Sequence, residues 1–209
     1  MYLFYLLAWK IIGLLPEKLA YKLANRVADI AYRKDGKGVR RLRSNYRRVM
    51  PSISESELSD LTKLGMRSYL RYWFDTFRLN KWSKSRIIDT TTVIREELLR
   101  ESIESKRGCI VALPHAGNWD HAAAYFCSTG ITLTAVVEKL KPEAIFKRFL
   151  DYRQSIGIEP ISHEEKTIPI LLERLKSGKL VALVADRDMS RSGIEVQFLG
   201  GTAKMPAGP

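Results

Sequence analysis

From residue 109 onwards, short apolar and β-branched runs alternate with amphipathic segments, and this alternation limits the possible folds most strongly. The predicted strands occupy residues 109–113, 131–137, 158–161 and 180–184. The predicted helices among them begin at Trp119, at Glu143 and at Ile168. Strands that alternate with helices along a chain assemble into layered α/β sheets. The second half therefore predicts an α/β fold with a central mixed sheet flanked by helices.

The first half of the chain predicts helices throughout. The first amphipathic segment, residues 17–32, carries at helical spacing the apolar residues Leu19, Leu23, Val27 and Ile30. Further along, Ser54 and Glu57 form the pattern of a capping box that opens a long helix. We therefore predict an all-helical N-terminal region, residues 1–107, before an α/β core, residues 108–209, the two forming one continuous domain.

Residues 2–15 are almost wholly apolar, and Lys10 is their only charge. The run is too short to span a bilayer, and the Pro16-Glu17-Lys18 that follows is unlike the cleavage site of a signal peptide. Aromatic and basic residues prefer the headgroup boundary of a membrane. An interfacial helix is therefore favoured over the alternative, a buried core helix.

The positive charge of the chain is concentrated in its first half. Residues 1–107 carry 23 lysines and arginines against 12 acidic residues, whereas residues 108–209 carry 12 against 11. The arginines of residues 40–48 are either a solvated face or a phospholipid-binding surface. A basic region of this kind indicates an anionic partner. Because the N-terminus is apolar, we predict an anionic membrane surface and no nucleic acid.

A histidine and an aspartate five residues apart follow the first predicted strand. Pro114 and Gly117 end that strand, and Asn118 is a good N-cap for the next helix. His115 then lies on an exposed loop, and Asp120 falls in the first helical turn, where the helix dipole favours a carboxylate. A bend between them would let Asp120 hold one imidazole nitrogen while the other faces a substrate hydroxyl. The spacing is typical of a general base with its orienting acid, and a surface or capping histidine is the alternative.

Other charged residues follow predicted strands. Active sites of open α/β sheets gather at strand ends, which gives Glu138, Asp186, Arg187 and Asp188 a suggestive position. Each of these side chains could equally be a surface charge. Cys109, Cys127 and the three histidines match no ligand spacing, so we predict no metal site and two buried thiols.

The sequence His115-Ala-Gly-Asn-Trp-Asp120 after an apolar strand resembles the lysophospholipid acyltransferase superfamily. Within it, the chain looks like the branch of the lipid A acyltransferases and the phosphatidylinositol mannoside acyltransferases. Stretches similar to the mannoside acyltransferases are residues 137–142, 152–157, 185–196 and 204–209. The resemblance thus covers nearly the whole chain and implies an acyltransferase-type α/β fold.

This resemblance also implies an activity and a site. The reaction would transfer a fatty acyl group from acyl-CoA, with no other cofactor, to a mannose hydroxyl of a phosphatidylinositol mannoside. The enzyme would be peripheral, at the cytoplasmic face of the cell membrane. His115 would be the general base and Asp120 its partner, while Glu138, Arg153 and Glu195 would line the acceptor site.

The sequence departs from the family at its C-terminal end, and two other functions are compatible with it. Members of the branch continue beyond the Met-Pro-Ala-Gly-Pro with which this sequence stops, so we expect either a fragment or a truncated gene product, with an α/β core incomplete at its C-terminus. One alternative is an acyltransferase that acts on a lipid A-type, glycerol phosphate or lysophospholipid acceptor. The other is a protein that binds anionic membranes and catalyses nothing.

Overall fold

The computed structural model describes residues 2–162, 167–186, 188 and 193–207, with side chains from residue 5 onwards. Its first half is helical: α1 Tyr2–Leu14, α2 Glu17–Arg33, α3 Lys37–Val49, α4 Glu55–Thr76, α5 Lys84–Asp89 and α6 Glu96–Glu104. A short 3-10 turn, Leu79–Lys81, lies between α4 and α5. The second half alternates as predicted: β1 Cys109–Leu113, α7 Trp119–Ser128, β2 Leu133–Val137, α8 Glu143–Ser155, β3 Ile158–Ser162, α9 Thr167–Lys176 and β4 Leu180–Val184. Strands β5 Ile194–Phe198 and β6 Gly201–Met205 follow.

Four of the strands form one sheet in the order β1-β4-β2-β3. The three strand pairings are parallel, because helical crossovers return the chain to the same end of the sheet each time. The α/β class and the helical N-terminal region are therefore confirmed, although this sheet is parallel rather than mixed. Strands β5 and β6 form a separate two-stranded sheet.

Burial differs between the middle and the edge of the sheet. Leu133 and Val137 of β2 and Leu180 and Val181 of β4 are buried, as in the core of a parallel sheet. Strand β1, an apolar run in the sequence, lies at an edge of the sheet, and its Ile110 is 51% exposed. A continuous apolar run does not distinguish an edge strand from a central one, so this difference was not visible in the sequence.

Packing divides the chain into two compact units. One consists of Leu3–Arg78 with Val196–Ala203, and the other contains the described residues of Leu79–Glu195 and Lys204–Pro209. The division follows residue 78 rather than the predicted residue 107, because α5 packs against α7 and α6 packs against β1. Helices α5 and α6 thus belong with the sheet.

Helix α2 packs against α4 through small residues. Ala20, Ala24 and Ala28 have no exposed surface, and Asp29 accepts two hydrogen bonds from Arg67 of α4, at 2.8 and 2.7 Å. The predicted capping box is present, since Ser54 and Glu57 exchange side-chain to backbone hydrogen bonds at the start of α4. The helical unit is therefore held by a close helix pair with a well-capped second member.

Helix α1 has two different faces. Trp9 is only 3% exposed, and its ring lies 4.8 Å from that of Phe77. Burying a side chain of this size stabilises the fold by roughly 1.5–3 kcal/mol. The opposite stripe is exposed and consists of Leu7, Ile11 and Leu14. The buried face fits the predicted core helix, whereas binding of the exposed stripe to a membrane interface stays a prediction. Among the described helices, none has both the length and the apolar character needed to cross a bilayer.

Candidate active site

Two strand ends place a histidine beside an aspartate. In the register of the parallel pair β1 and β4, Leu113 lies opposite Val184, and Ala185 donates a backbone hydrogen bond of 2.9 Å to Leu113. His115 and Asp186 each follow their strand by two residues, so the two residues lie side by side at the carboxyl ends of β1 and β4. Nδ1 of His115 lies 2.7 Å from Oδ1 of Asp186.

The carboxylate that contacts Nδ1 of His115 is therefore Asp186, whereas the sequence predicted Asp120 for this position. The physical reason is strand order. Strand β4 lies next to β1 in the sheet, although two other strands separate them along the chain. The available signal was the position of Asp186 directly after a predicted strand, but a sequence gives no neighbour relation between distant strands.

Asp186 is suited to orient the imidazole. Burial alone would raise the pKa of its carboxyl, but the hydrogen bonds and the charge of His115 outweigh burial and lower the pKa below the ordinary 3.8. Because an ionised carboxylate can only accept, the hydrogen of this bond belongs to Nδ1 of His115. That tautomer leaves Nε2 as a proton acceptor. The two side chains are 33% and 34% exposed, so they are accessible to a substrate.

The loop that carries His115 is bent and capped as the sequence predicted. Gly117 has a φ of 62°, in the left-handed region that favours glycine. The side chain of Asn118 accepts a 3.0 Å hydrogen bond from the backbone of His121 and so caps α7. The ring of Trp119 meets that of His115 edge to face, with centroids 5.3 Å apart. Helix α7 thus supports the imidazole from a second direction.

Asp120 and Arg153, both predicted site residues, form an ion pair with each other. Asp120 is 1% exposed in the first turn of α7, and its Oδ1 lies 3.4 Å from Nε of Arg153 on α8. A buried carboxylate needs such a partner, because an unpaired charge in the interior is strongly destabilising. The pair therefore joins the helix behind His115 to the following helix.

The two predicted acceptor-site glutamates are exposed. Glu138 directly follows β2, so it lies at the same edge of the parallel sheet as His115. Two strand spacings of about 4.8 Å place β2 roughly 10 Å from β1. Glu195 lies on β5 of the smaller sheet. The described contacts connect neither glutamate with His115.

His121 lies near His115 in the sequence, and its described contacts are with residues at the end of α5 and with Trp82. Its Nε2 lies 3.3 Å from the hydroxyl of Thr90 and 3.4 Å from that of Thr91, and its ring meets Trp82 edge to face. These contacts attach α7 to the end of α5. The third histidine, His163, and also Arg187 lie outside the described residues.

The cysteines offer no nucleophile to this site. Both thiols are free, and burial raises the pKa of Cys127 to about 11 and that of Cys109 above its ordinary value. The thiolate is the reactive form of cysteine, so neither side chain is activated at neutral pH. Within the described ranges, no group of three His, Cys, Asp or Glu side chains could hold a metal ion.

Comparison with known proteins places the chain in a family. The sequence profile of the bacterial lipid A biosynthesis acyltransferases matches residues 1–209. A phosphatidylinositol mannoside acyltransferase from Mycolicibacterium smegmatis is 36% identical over 208 residues, which cover 98% of this chain and 68% of the relative. One from Mycobacterium tuberculosis is 36% identical over 211 residues, which cover 98% of this chain and 66% of the relative. The resemblance predicted from the sequence is confirmed, and the chain belongs to the bacterial lipid A biosynthesis acyltransferase family.

Proposed function

We propose that this chain transfers a fatty acyl group from acyl-CoA to a mannose hydroxyl of a phosphatidylinositol mannoside. The observation that carries the proposal is the 2.7 Å contact between His115 and Asp186 at the carboxyl edge of the parallel sheet. Acyl transfer is the activity of the family, and the mannoside acceptor is the one named for the relatives in Mycolicibacterium smegmatis and Mycobacterium tuberculosis.

In the proposed reaction, Nε2 of His115 accepts the proton of the mannose hydroxyl while the oxygen attacks the thioester carbonyl. The tetrahedral intermediate then collapses, the C–S bond breaks, and the leaving thiolate takes the proton back from the imidazolium. The products are an ester and free coenzyme A. Asp186 holds the reactive tautomer and stabilises the positive charge that His115 carries between the two steps.

The remaining site residues would hold the acceptor. A guanidinium has five N–H donors, so the bond from Nε of Arg153 to Asp120 does not exhaust them, and the group can also pair with a phosphate. Asp120 is then a positioning residue for Arg153. Exposed carboxylates such as those of Glu138 and Glu195 accept hydrogen bonds from sugar hydroxyls, which fits the sugar part of the headgroup.

The place of the reaction is also part of the proposal. A mannoside lipid resides in a membrane, so the enzyme would be peripheral and would act at the cytoplasmic face, where acyl-CoA is found. The basic, helical first region would meet the anionic surface of that membrane. Acyl-CoA is the donor substrate, and the reaction written above needs no further cofactor.

Replacing His115 tests the proposal. In the full chain, His115→Ala should lower palmitoyl transfer from palmitoyl-CoA to a phosphatidylinositol mannoside by about 10²–10⁴-fold, the usual contribution of a general base. Thermal unfolding should be unchanged, because His115 lies on an exposed loop. His121→Asn is the matched control, since the described contacts of this neighbouring histidine are with Thr90, Thr91 and Trp82. Near wild-type transfer by His115→Ala would refute the assignment, as would loss of transfer by a folded His121→Asn.

A further inference from the structure

Helix α2 is oriented in an unusual way. Its small residues, Ala20, Ala24 and Ala28, face the interior and have no exposed surface. Its large apolar residues face outward and are between 39% and 51% exposed: Leu19, Leu23, Val27 and Ile30. The sequence predicted this apolar set at helical spacing, and the structure shows that the set does not serve the core.

The outward residues form one continuous stripe. At 100° per residue, their four positions fall within an arc of about 80° on the helix. Along the axis, the stripe extends over roughly 16 Å, at about 1.5 Å per residue. Single exposed leucines are common on protein surfaces, but an ordered row on one helix face marks an interaction site.

A row of cations lies directly beside this stripe. Lys18, Lys22, Arg26 and Arg33 are exposed and occupy the adjacent arc of about 80°. Asp29 falls within the same arc, but its carboxylate is neutralised by the ion pair with Arg67. The outward face of α2 is therefore half apolar and half basic, and the boundary between the two halves runs along the helix axis.

This arrangement fits one kind of partner. A helix lying in a membrane interface buries its apolar stripe at the acyl boundary and keeps flanking lysines and arginines among anionic headgroups. A protein partner would need an apolar ridge and a parallel acidic ridge that match the two halves of this face. An anionic bilayer offers an apolar acyl layer and a negatively charged headgroup layer along its whole surface. Charge complementarity thus selects the bilayer.

We infer that the outward face of α2, defined by Leu19, Leu23, Val27 and Ile30 with the four basic residues beside them, is the surface that docks the protein onto an anionic bilayer. The inference rests on the proposed function in one respect, that the acceptor is a membrane lipid. The exposed stripe of α1 belongs to the same compact unit and can add to the docking.

Flotation with vesicles tests this inference. The probe is phosphatidylcholine vesicles with and without phosphatidylglycerol, in the absence of acyl-CoA. The full chain should float with the anionic vesicles and be released by high salt. Leu23→Glu should weaken binding at least about tenfold, because it places a charge in the inserted stripe. Replacing Lys18, Lys22 and Arg26 together by Gln should weaken binding and reduce its salt dependence.

The controls separate this inference from the proposed function. Leu98→Glu on α6 changes a leucine that is 52% exposed, against 39% for Leu23, and should bind like the wild type. Val27→Glu provides a second variant of the stripe, and thermal unfolding shows whether each variant folds. His115→Ala should float like the wild type, so a failure of catalysis and a failure of docking are distinguishable.

Three results would overturn the inference. One is wild-type flotation of folded Leu23→Glu and Val27→Glu. Another is an equal loss of binding in Leu98→Glu. The third is a wild-type dimer in light scattering that Leu23→Glu dissociates, which would make this face an interface between two copies of the chain.

Discussion

At the scale of single residues, the two aspartates near His115 have different partners. Asp186 is distant in the chain, and it reaches Nδ1 of His115, at 2.7 Å, because β4 lies next to β1 in the sheet. Asp120 pairs with Arg153 instead, at 3.4 Å, and its own side chain is buried in the first turn of α7.

The two aspartates should therefore differ when each is replaced by asparagine. Asp186→Asn should lower kcat about 100-fold or more, because it replaces the carboxylate that fixes the tautomer of His115 by a neutral amide whose NH2 can donate to Nδ1 and select the other tautomer. Asp120→Asn should cost less kcat and should mainly raise KM, since it releases Arg153. Steady-state kinetics with varied acceptor distinguishes the two. A large loss of kcat in Asp120→Asn with Asp186→Asn near wild type would restore the pairing predicted from spacing.

At the scale of elements, the helical period was predictable and the buried face was not. The spacing of α2 fits either face, and packing against α4 selected the alanines, because small side chains allow the closest approach. The capping box of α4 is fully local and is present as predicted. Strand β1 shows the same limit as α2, since its apolar run does not reveal its place at the sheet edge.

One contact between elements should make stability depend on pH. Glu159 of β3 accepts hydrogen bonds of 2.9 and 2.6 Å from Nε and Nη2 of Arg174 on α9, and one of 2.9 Å from Thr134 of β2. The hydrogen bonds from Arg174 hold the pKa of Glu159 below its ordinary 4.5. A lowered pKa means that this contribution is present above about pH 4.5 and is lost as pH falls through the native value.

Glu159→Gln should accordingly lower Tm by about 2 °C at pH 7, and this difference should shrink below the ordinary pKa of glutamate. Glu173→Gln is the matched control, because Glu173 also contacts Arg174 but its side chain is 69% exposed. Calorimetry at several pH values measures both. A pH-independent difference, or an equal effect of Glu173→Gln, would show that the pair does not provide the linkage.

At the scale of the whole molecule, fold class and family were predictable because they depend on alternation and on motifs distributed along the chain. The boundary between the compact units was not, since α5 and α6 join the sheet through contacts that composition does not reveal. The choice of acceptor is also a property of the whole molecule, and it is proposed from the relatives. The two relatives share 36% identity with this chain, which spans 68% and 66% of their lengths.

The most direct test of the central claim is a comparison of acceptors with one donor. Transfer of radiolabelled palmitate from palmitoyl-CoA is measured with a phosphatidylinositol mannoside, glycerol 3-phosphate and lysophosphatidic acid, for the wild type and for His115→Ala. The proposal predicts that kcat/KM is highest for the mannoside, by about tenfold or more, and that all transfer depends on His115. Preference for glycerol 3-phosphate or lysophosphatidic acid, or transfer to the mannoside that survives His115→Ala, would contradict it.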